Sequence, residues 1–325
     1  MATIENVFLN DIINHPDDDT PRLIYADWLE EHGETDADIT RAEFIRLQCT
    51  LSKMQEENPE REKARLREEE LLRQHKTAWE AHLPHTDGLE YTFLRGMVER
   101  VRMVRRHFRG RAKTIFDCAP IQELELVHPE FDRFREELWR YRLPEEESLR
   151  RLTPIIASAF MKRLRRLLIR GYSQQEVPML LANHHSKFAQ LRILEIEHCA
   201  WDSDGLNTLA TGSFPSLAQL RFSGNTIGGV SSFRTLEQFA SSQAFPSLIS
   251  LDLSGERSIG HGDAELFLQS EQLKSVSFHL SAREHLGTYY TNRLREAPRT
   301  PMSQGQIARE TALLQARTIV RDEDG

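Results

Sequence analysis

Apolar residues recur along the second half of the chain in a fixed phrase, L-x-x-L-x-L, in which the intervening positions are mostly polar. Seven copies fit this template, and they begin at Val98, Ile121, Leu164, Leu191, Leu217, Leu248 and Leu273. The last five starts lie 27, 26, 31 and 25 residues apart, whereas 43 residues separate Ile121 from Leu164 and imply an insertion. Apolar and polar residues that alternate over a short run predict a β-strand with one buried face. One unit cannot bury that face alone, so we expect the copies to stack as a repeat array.

The better copies of the phrase continue in a characteristic way. Cys199 and Asn225 each stand three residues after the last apolar position, where a side chain can satisfy backbone groups of the neighbouring coils. Apolar residues at helical spacing follow, and they predict short helices at 205–210, 233–240 and 264–268. A regular succession of strand and helix predicts an α/β array with parallel strands on one side and helices on the other.

The first fifty residues follow an all-helical pattern instead. A short amphipathic helix is predicted around 7–13, and a second is expected to follow Thr20 as its N-cap and to end at Gly33. A third helix is predicted from Arg41 to Leu51. The side chains expected in the core of this helical cap are those of Tyr25, Trp28 and Phe44.

The N-terminal segment and the repeated phrase each resemble a known protein family. The N-terminal segment reads Asp17-Asp18-Asp19-x-x-Arg22-Leu23-x-Tyr25-Ala26-Asp27-Trp28-Leu29-Glu30-Glu31-x-Gly33 and then Arg41-Ala42-Glu43-Phe44-Ile45-Arg46-x-Gln48. It resembles the bacterial repeat-companion domain, a short module found ahead of repeats. The phrase ending in Asn or Cys resembles the leucine-rich repeat of the ribonuclease-inhibitor-like kind. These resemblances imply a helical cap at the N-terminal end of a solenoid, and they carry no biochemical activity over to this chain.

The predicted fold is therefore an α/β leucine-rich-repeat solenoid, with strands on the concave face and helices on the convex face, behind an all-α cap. We divide the chain into a helical cap at 1–51, a charged helical connector at 52–90, a solenoid at 91–297 with a helical insertion near 129–150, and a C-terminal helix with an acidic tail at 298–325.

The composition excludes some classes of protein but does not indicate a function. The 325 residues carry 42 basic and 50 acidic side chains, a net charge of -8, and 39% of the residues are hydrophobic. The longest uncharged apolar stretch, about 153–161, is far shorter than the roughly 20 residues of a membrane-spanning helix. Three widely spaced cysteines favour neither a disulfide framework nor a zinc site. These features predict a cytoplasmic protein that does not interact with a membrane.

The motifs typical of catalysis and of cofactor binding are missing from the sequence. No phosphate-binding glycine loop, metalloprotease motif, Cys-x-x-Cys pair or nucleophile elbow occurs. The close histidine pairs, His184-His185 and His82-x-x-His85, lack carboxylates or thiols at ligand spacing. The Asp17-Asp18-Asp19 run is better explained by helix capping than by calcium binding. We therefore predict a non-enzymatic protein with no metal, no cofactor and no small-molecule substrate.

The exposed positions of the phrase point to a protein partner. In the solenoid, the residue between the last two apolar positions is, in order, Arg102, Glu125, Leu168, Glu195, Arg221, Asp252 and Ser277. These positions carry charges of both signs. Residues on neighbouring strands, such as Arg102 with Glu125 and Glu195 with Arg221, are therefore expected to form ion pairs. The candidate partner-binding residues on the concave face are Arg100, Arg102, Arg165, Arg166, Arg192, Glu195, Arg221 and Asp252.

We thus predict a protein–protein interaction module that binds its partner through the concave face and the edge loops. A charge reversal at Arg166 or Arg221 is expected to weaken that binding and to leave the fold intact. Two alternatives stay open: a regulator or inhibitor of an enzyme, such as a GTPase-activating partner, and a nucleic-acid-binding protein that uses the basic first repeats. The second rests on eight basic residues between 95 and 113, a stretch with one acidic residue, Glu99.

Overall fold

The computed structural model describes residues 4–129, 131, 145–172, 176–227, 236–256 and 259–280. Most of the insertion predicted near 129–150 lies outside these residues, as does the whole segment 298–325. The predicted helix at 233–240 is described only from residue 236 onward.

The described residues form an α/β fold. Their α-helices are α1 (Ile4–Asn14), α2 (Thr20–His32), α3 (Asp36–Leu51), α4 (Glu60–Glu80), α5 (Arg105–Cys118), α6 (Glu145–Ile156), α7 (Glu176–Asn183), α8 (Ser203–Leu209), α9 (Glu237–Ser241) and α10 (His261–Gln269). Two 3₁₀-helices lie at Ala159–Arg163 and His185–Phe188. The strands are β1 (Leu89–Leu94), β2 (Met97–Val104), β3 (Glu123–Val127), β4 (Arg166–Arg170), β5 (Ile193–Glu197), β6 (Gln219–Ser223), β7 (Ser250–Gly255) and β8 (Ser277–Leu280).

The eight strands follow one another in the sheet in chain order, from β1 to β8. Every pair from β3 to β8 is parallel. The chain divides into two compact units. The first contains the described residues 4–101 and 110–122, and the second contains 102–109 and the described residues from 123 onward.

The first unit has a helical core at its N-terminal end. Helices α2 and α3 bury a cluster formed by Ala26, Leu29, Ala42, Ile45 and Cys49, against which Tyr25 and Trp28 pack half-buried. Phe44 is fully buried and contacts two other aromatic rings, with ring-centroid distances of 4.7 Å to Trp79 and 5.6 Å to Phe93. The three side chains expected in the core of the cap therefore all contribute to apolar packing in this unit.

Two helix starts differ from the sequence prediction. Thr20 is the first residue of α2 rather than its N-cap, and Asp19 takes the cap position. The Asp18 side chain accepts the Thr20 backbone N–H at 2.8 Å, so the helix begins one residue earlier than expected. Helix α3 begins at Asp36 instead of Arg41, because Thr35 and Asp38 form a reciprocal capping box that extends it by more than one turn.

Strand β1 forms a β-hairpin with β2, the first repeat strand, and the apolar phrase alone did not predict it. Arg95 and Gly96 connect β1 to β2 with φ values of 50° and 84°, the left-handed backbone that a two-residue hairpin turn requires. Gln48 holds this turn from α3. Its Oε1 accepts the Gly96 N–H at 2.6 Å, and its Nε2 donates to the Phe93 carbonyl at 3.2 Å.

The second unit contains strands β3 to β8. Strands β3 to β7 pair as the repeat phrase predicts, except that the register between β6 and β7 shifts by one residue between Arg221 and Ser223. Leu194 lies beside Leu167 on one side and Leu220 on the other, and Leu220 lies beside Leu251. Every apolar position of the seven phrases is buried. The repeated phrase therefore marks the residues that fill the interior behind the sheet.

The last phrase is displaced by two residues from the position that the sequence predicted. Strand β8 pairs with β7 so that Phe278 lies beside Leu251, the place assigned to Val276, and His279 rather than Ser277 lies beside Asp252. Val276, Phe278 and Leu280 alternate without interruption, so the pattern does not fix which two of them enter the strand pair. Because the shift is even, the buried face is preserved.

The hairpin turn leads to a stability test with an internal control. A Cβ at position 96 would lie 2.5 Å from the Ile45 Cα and would force a residue with a side chain into the left-handed region. We expect Gly96→Ala to lower the free energy of unfolding by about 2–3 kcal/mol. Urea denaturation followed by circular dichroism measures this change.

Gly110→Ala is the matched control. Gly110 lies within α5, and a Cβ there meets nothing within 4 Å. Alanine should raise the free energy of unfolding there by up to about 1 kcal/mol, because it restricts the unfolded chain and favours the helix. Equal effects of the two substitutions would contradict the assigned turn.

Candidate functional site

The candidate site is the outward face of the sheet in the second unit. Along a strand, successive side chains point to opposite faces. In β5, Leu194 and Ile196 are fully buried, so Ile193, Glu195 and Glu197 lie on the outward face. Charged residues of both signs occupy the corresponding positions of the neighbouring strands.

One chain of ion pairs runs across five strands. Arg166 of β4 pairs with Glu123 of β3 at 3.2 Å and with Glu195 of β5 at 2.6 Å. Arg221 of β6 then lies 3.6 Å from Glu195 and 3.6 Å from Asp252 of β7. The charges along this chain alternate in sign from β3 to β7, and the predicted lateral pair of Glu195 with Arg221 is confirmed.

A second chain crosses β2 to β5. The Arg102 guanidinium donates to Glu125 at 3.2 Å, which confirms the other predicted pair. The same Glu125 carboxylate accepts from Arg170 at 2.9 Å, and Arg170 donates to Glu197 at 2.8 Å. The two chains together leave the sheet face close to neutral, since almost every charge has an opposite neighbour.

The middle of the first chain is largely removed from water. The side chain of Glu195 is 4% exposed and that of Arg166 is 14% exposed. Burial acts to lower the pKa of Arg166, but the carboxylates of Glu195 and Glu123 outweigh it and raise this pKa. The guanidinium therefore stays charged and compensates two carboxylates at once.

Arg221 differs from the other arginines of the chain. Its side chain is 33% exposed, and both of its carboxylate neighbours are at the long distance of 3.6 Å. Its Nε makes no hydrogen bond to the part of the chain that the structure describes. That Nε is itself buried and faces Asp252, so what Arg221 offers a partner is the exposed part of its side chain and the length of its two ion pairs.

The structure does not bring all the predicted partner-binding residues together. Arg165 and Arg192 each precede a strand by one residue, at the edge of the sheet, and Arg165 donates to the Gln190 carbonyl at 3.4 Å. Arg100 lies on β2 within the first unit. Arg102, Arg166, Glu195, Arg221 and Asp252 are the predicted residues that take part in the two chains of ion pairs.

Four members of the network were absent from the predicted site: Glu123, Glu125, Arg170 and Glu197. Arg170 and Glu197 directly follow the last apolar residue of their phrases, so each continues the strand alternation by one position. Extending the template by one polar residue would have placed both on the outward face. Glu125 stands between the last two apolar residues of its phrase, and Glu123 lies two residues before it on the same face.

The structural repeat positions behave as the sequence predicted. Asn225 is buried, and its side-chain oxygen accepts the Cys199 N–H at 2.9 Å while its amide donates to the Ile196 carbonyl at 2.9 Å. Glu256 occupies the equivalent position one coil later and accepts the Asn225 N–H at 2.9 Å. A ladder of side chains therefore satisfies the buried backbone between successive coils.

The basic stretch at 95–113 is partly neutralised from within. In the first unit, Glu99 is buried and accepts from Arg22 at 3.0 Å and from Arg95 at 2.8 Å. Arg95 also lies 3.4 Å from Asp19. The one acid of the stretch thus takes up two cations, one of which belongs to the Asp17-Asp18-Asp19-x-x-Arg22 motif.

No model of a known protein family matches the chain, and no curated protein sequence matches it significantly. Among the residues that the structure describes, no group of three or more histidine, cysteine, aspartate or glutamate side chains could hold a metal ion. Within the same residues, no helix is both long and apolar enough to cross a membrane.

Removal of Arg166 should destabilise the fold. Arg166→Met leaves Glu123 and Glu195 without a shared cation, and a buried carboxylate that loses its partner typically costs about 3 kcal/mol or more. The charge reversal proposed above at Arg166 is therefore unsuitable as a binding test, because it would put three carboxylates together in a buried site.

Arg46→Met is the matched control for that measurement. Arg46 also joins two carboxylates, Asp27 at 2.7 Å and Glu30 at 2.6 Å, but those side chains are 66% and 60% exposed. Exposed pairs contribute at most about 1 kcal/mol. Urea denaturation should therefore separate the two variants clearly, and similar losses would argue against the buried network.

The three cysteines should differ in reactivity. None is bonded to another cysteine. Burial raises the pKa of Cys199 to about 12 and that of Cys49 to about 11, whereas Cys118 is half-exposed. Because the thiolate is the reactive form, iodoacetamide at mildly alkaline pH should first modify Cys118 in the native protein. Intact-mass spectrometry would show one rapid addition, lost in Cys118→Ser, and rapid modification of the Cys199 thiol would contradict its burial.

Proposed function

We propose that this chain is a protein-binding module whose partner contacts the outward face of the parallel sheet, and that it performs no catalysis. The observation that carries the proposal is the chain of alternating charges with Arg221 as its exposed member. It offers a partner polar groups held in fixed positions by their neighbours, which lowers the entropy lost on binding.

The architecture supports the same proposal. We interpret the in-register strands and the Asn225 ladder as an array of leucine-rich repeats of the ribonuclease-inhibitor-like kind. We interpret residues 1–51 as a repeat-companion-like cap, since motif residues such as Arg22 and Gln48 make its buried polar contacts. Arrays of this kind present an extended surface that suits a protein ligand. With free thiols at all three cysteines, we place the protein in the cytoplasm as part of this proposal.

A protein partner fits this face better than a nucleic acid does. A phosphate-binding surface needs an excess of cations, because affinity comes mainly from neutralised phosphates. Here Glu195 and Asp252 flank Arg221 on neighbouring strands, and Glu123, Glu125 and Glu197 accompany Arg166 and Arg170. A partner carboxylate or backbone carbonyl could still bind Arg221, whose side chain is 33% exposed and whose two ion pairs are long. Arginine is also a residue enriched at the centres of protein interfaces.

Charge reversal at Arg221 tests the proposal. Arg221→Glu adds a carboxylate between Glu195 and Asp252, which are 4% and 10% exposed, at a position that is itself 33% exposed. It should weaken partner binding by about tenfold or more. The immobilised chain and its variant would be exposed to extract of the source cells, and quantitative mass spectrometry would compare the captured proteins. The same captured set at the same yield would reject the assigned face.

Lys274→Glu is the control reversal in the same unit. The Lys274 side chain is 56% exposed and pairs with Glu271, and it precedes β8 rather than lying on the strand. This variant should retain the captured proteins. Circular dichroism of both variants separates lost binding from lost folding, and a shift of a labelled oligonucleotide at low salt would favour nucleic-acid binding instead.

A further inference from the structure

The first 51 residues are far more acidic than the chain as a whole. They contain twelve acidic and three basic residues, a net charge of −9, whereas the complete chain has a net charge of -8. Arg22 and Arg41 are buried, so Arg46 is the one basic side chain of the three that reaches the surface. The negative charge of the cap is therefore concentrated on its surface.

The same segment exposes an unusual share of apolar side chains. Six large hydrophobic residues are exposed among the residues that the structure describes, and four of them belong to the cap. Those four are Val7 at 62%, Leu23 at 36%, Ile24 at 50% and Ile39 at 50%. Single exposed apolar residues need no explanation, but several on one small helical module indicate an interaction site.

Half-buried aromatic rings join α1 to α2 next to these residues. The Phe8 ring lies 5.3 Å from Tyr25 and 5.5 Å from Trp28, measured between centroids, and Trp28 stacks on His32 at 5.5 Å. Ile24 lies one helical turn before Trp28 on the same side of α2. We call the surface formed by Phe8, Ile24, Tyr25 and Trp28 the aromatic patch.

Carboxylates border the aromatic patch. Burial raises the pKa of Tyr25 to about 12, so its hydroxyl is protonated and lies within 3.4 Å of Glu5 as a donor. Asp27 and Glu30, on either side of Trp28 in α2, share the single cation of Arg46. That arrangement leaves one uncompensated negative charge beside the patch.

We propose that the aromatic patch binds a basic amphipathic helix of another protein, which would lay its apolar side on Ile24 and the half-buried rings and its lysine or arginine side chains against the bordering carboxylates. An apolar centre within an acidic border matches that ligand in both respects. A second copy of this cap, a nucleic acid or an anionic membrane would each bring further negative charge, and repulsion would oppose its binding. This surface belongs to the first unit and is independent of the sheet face proposed above.

A synthetic helix tests the proposal without knowledge of the natural partner. A fluorescent amphipathic peptide of leucine and lysine should bind the full-length chain in an anisotropy titration, and its affinity should fall as salt is added. The matching peptide of leucine and glutamate presents the same apolar side with the opposite charge and should bind at least about tenfold more weakly. Equal affinity for the two peptides would overturn the proposal.

Substitutions at Ile24 locate the binding to the patch. Ile24→Lys and Ile24→Glu both remove the exposed apolar side chain, but they change the charge in opposite directions. We expect Ile24→Lys to weaken binding of the basic peptide by about tenfold and Ile24→Glu to weaken it less, a difference that should disappear at high salt. The same loss in both variants at low salt would show that charge complementarity has no part in binding.

Leu66 supplies the matched controls. It is 58% exposed on α4, outside the cap, and Leu66→Lys and Leu66→Glu make the same two changes on another surface of the same unit. Both should keep the affinity of the unaltered chain to within about twofold. If Leu66→Lys weakened binding as much as Ile24→Lys, the peptide would be responding to the overall charge of the protein and the proposal would fail.

Discussion

In-register pairing of parallel strands is the constraint on which the second unit depends. Neighbouring strands lie about 4.8 Å apart, so pairing places residues from successive repeats side by side on both faces of the sheet. On one face it stacks Leu194 on Leu220, and on the other it sets Glu195 beside Arg221. Like charges at such positions destabilise a sheet, whereas alternating charges stabilise it. One geometric rule therefore shapes both the buried core and the candidate binding surface.

Buried polar side chains organise the first unit in a different way. Glu99 accepts from Arg22 and Arg95, and Gln48 binds the backbone of the turn at Gly96. A charged group so deeply buried is tolerated only with partners, and the loss of any partner is correspondingly expensive. Arg22 and Gln48 therefore have roles in this fold that other helix-forming residues would not fill. These contacts are specific in geometry, and apolar packing alone would not supply that specificity.

The sequence predicted the strands well because their apolar phrase has a short, local period. It predicted Cys199 and Asn225 as interior positions for the same reason, and it predicted the pairs Arg102–Glu125 and Glu195–Arg221 from the column alignment. The prediction from sequence was wrong where the apolar alternation allowed two registers, as in β8. It also missed contacts between residues that are far apart in sequence. Glu99 and Arg22 are 77 residues apart, and no local pattern in either segment indicates that they meet. The helix starts at Thr20 and Asp36 were predicted wrongly, because one or two capping side chains determine the residue at which a helix begins.

The charges of the two proposed surfaces are compensated to different extents, so the two surfaces should bind their partners in different ways. On the sheet face, a partner must compete with ion pairs that already exist, so its ionic contacts add little net affinity and serve mainly to select among partners. Arg221 is the exception because its side chain is 33% exposed and both of its carboxylate neighbours lie at 3.6 Å. On the cap, the negative charge is largely uncompensated and acts over distance, which accelerates association and makes binding sensitive to salt. The modest overall charge of the chain conceals this division, because the first 51 residues carry a net charge of −9 and the remaining 274 carry a net charge of +1.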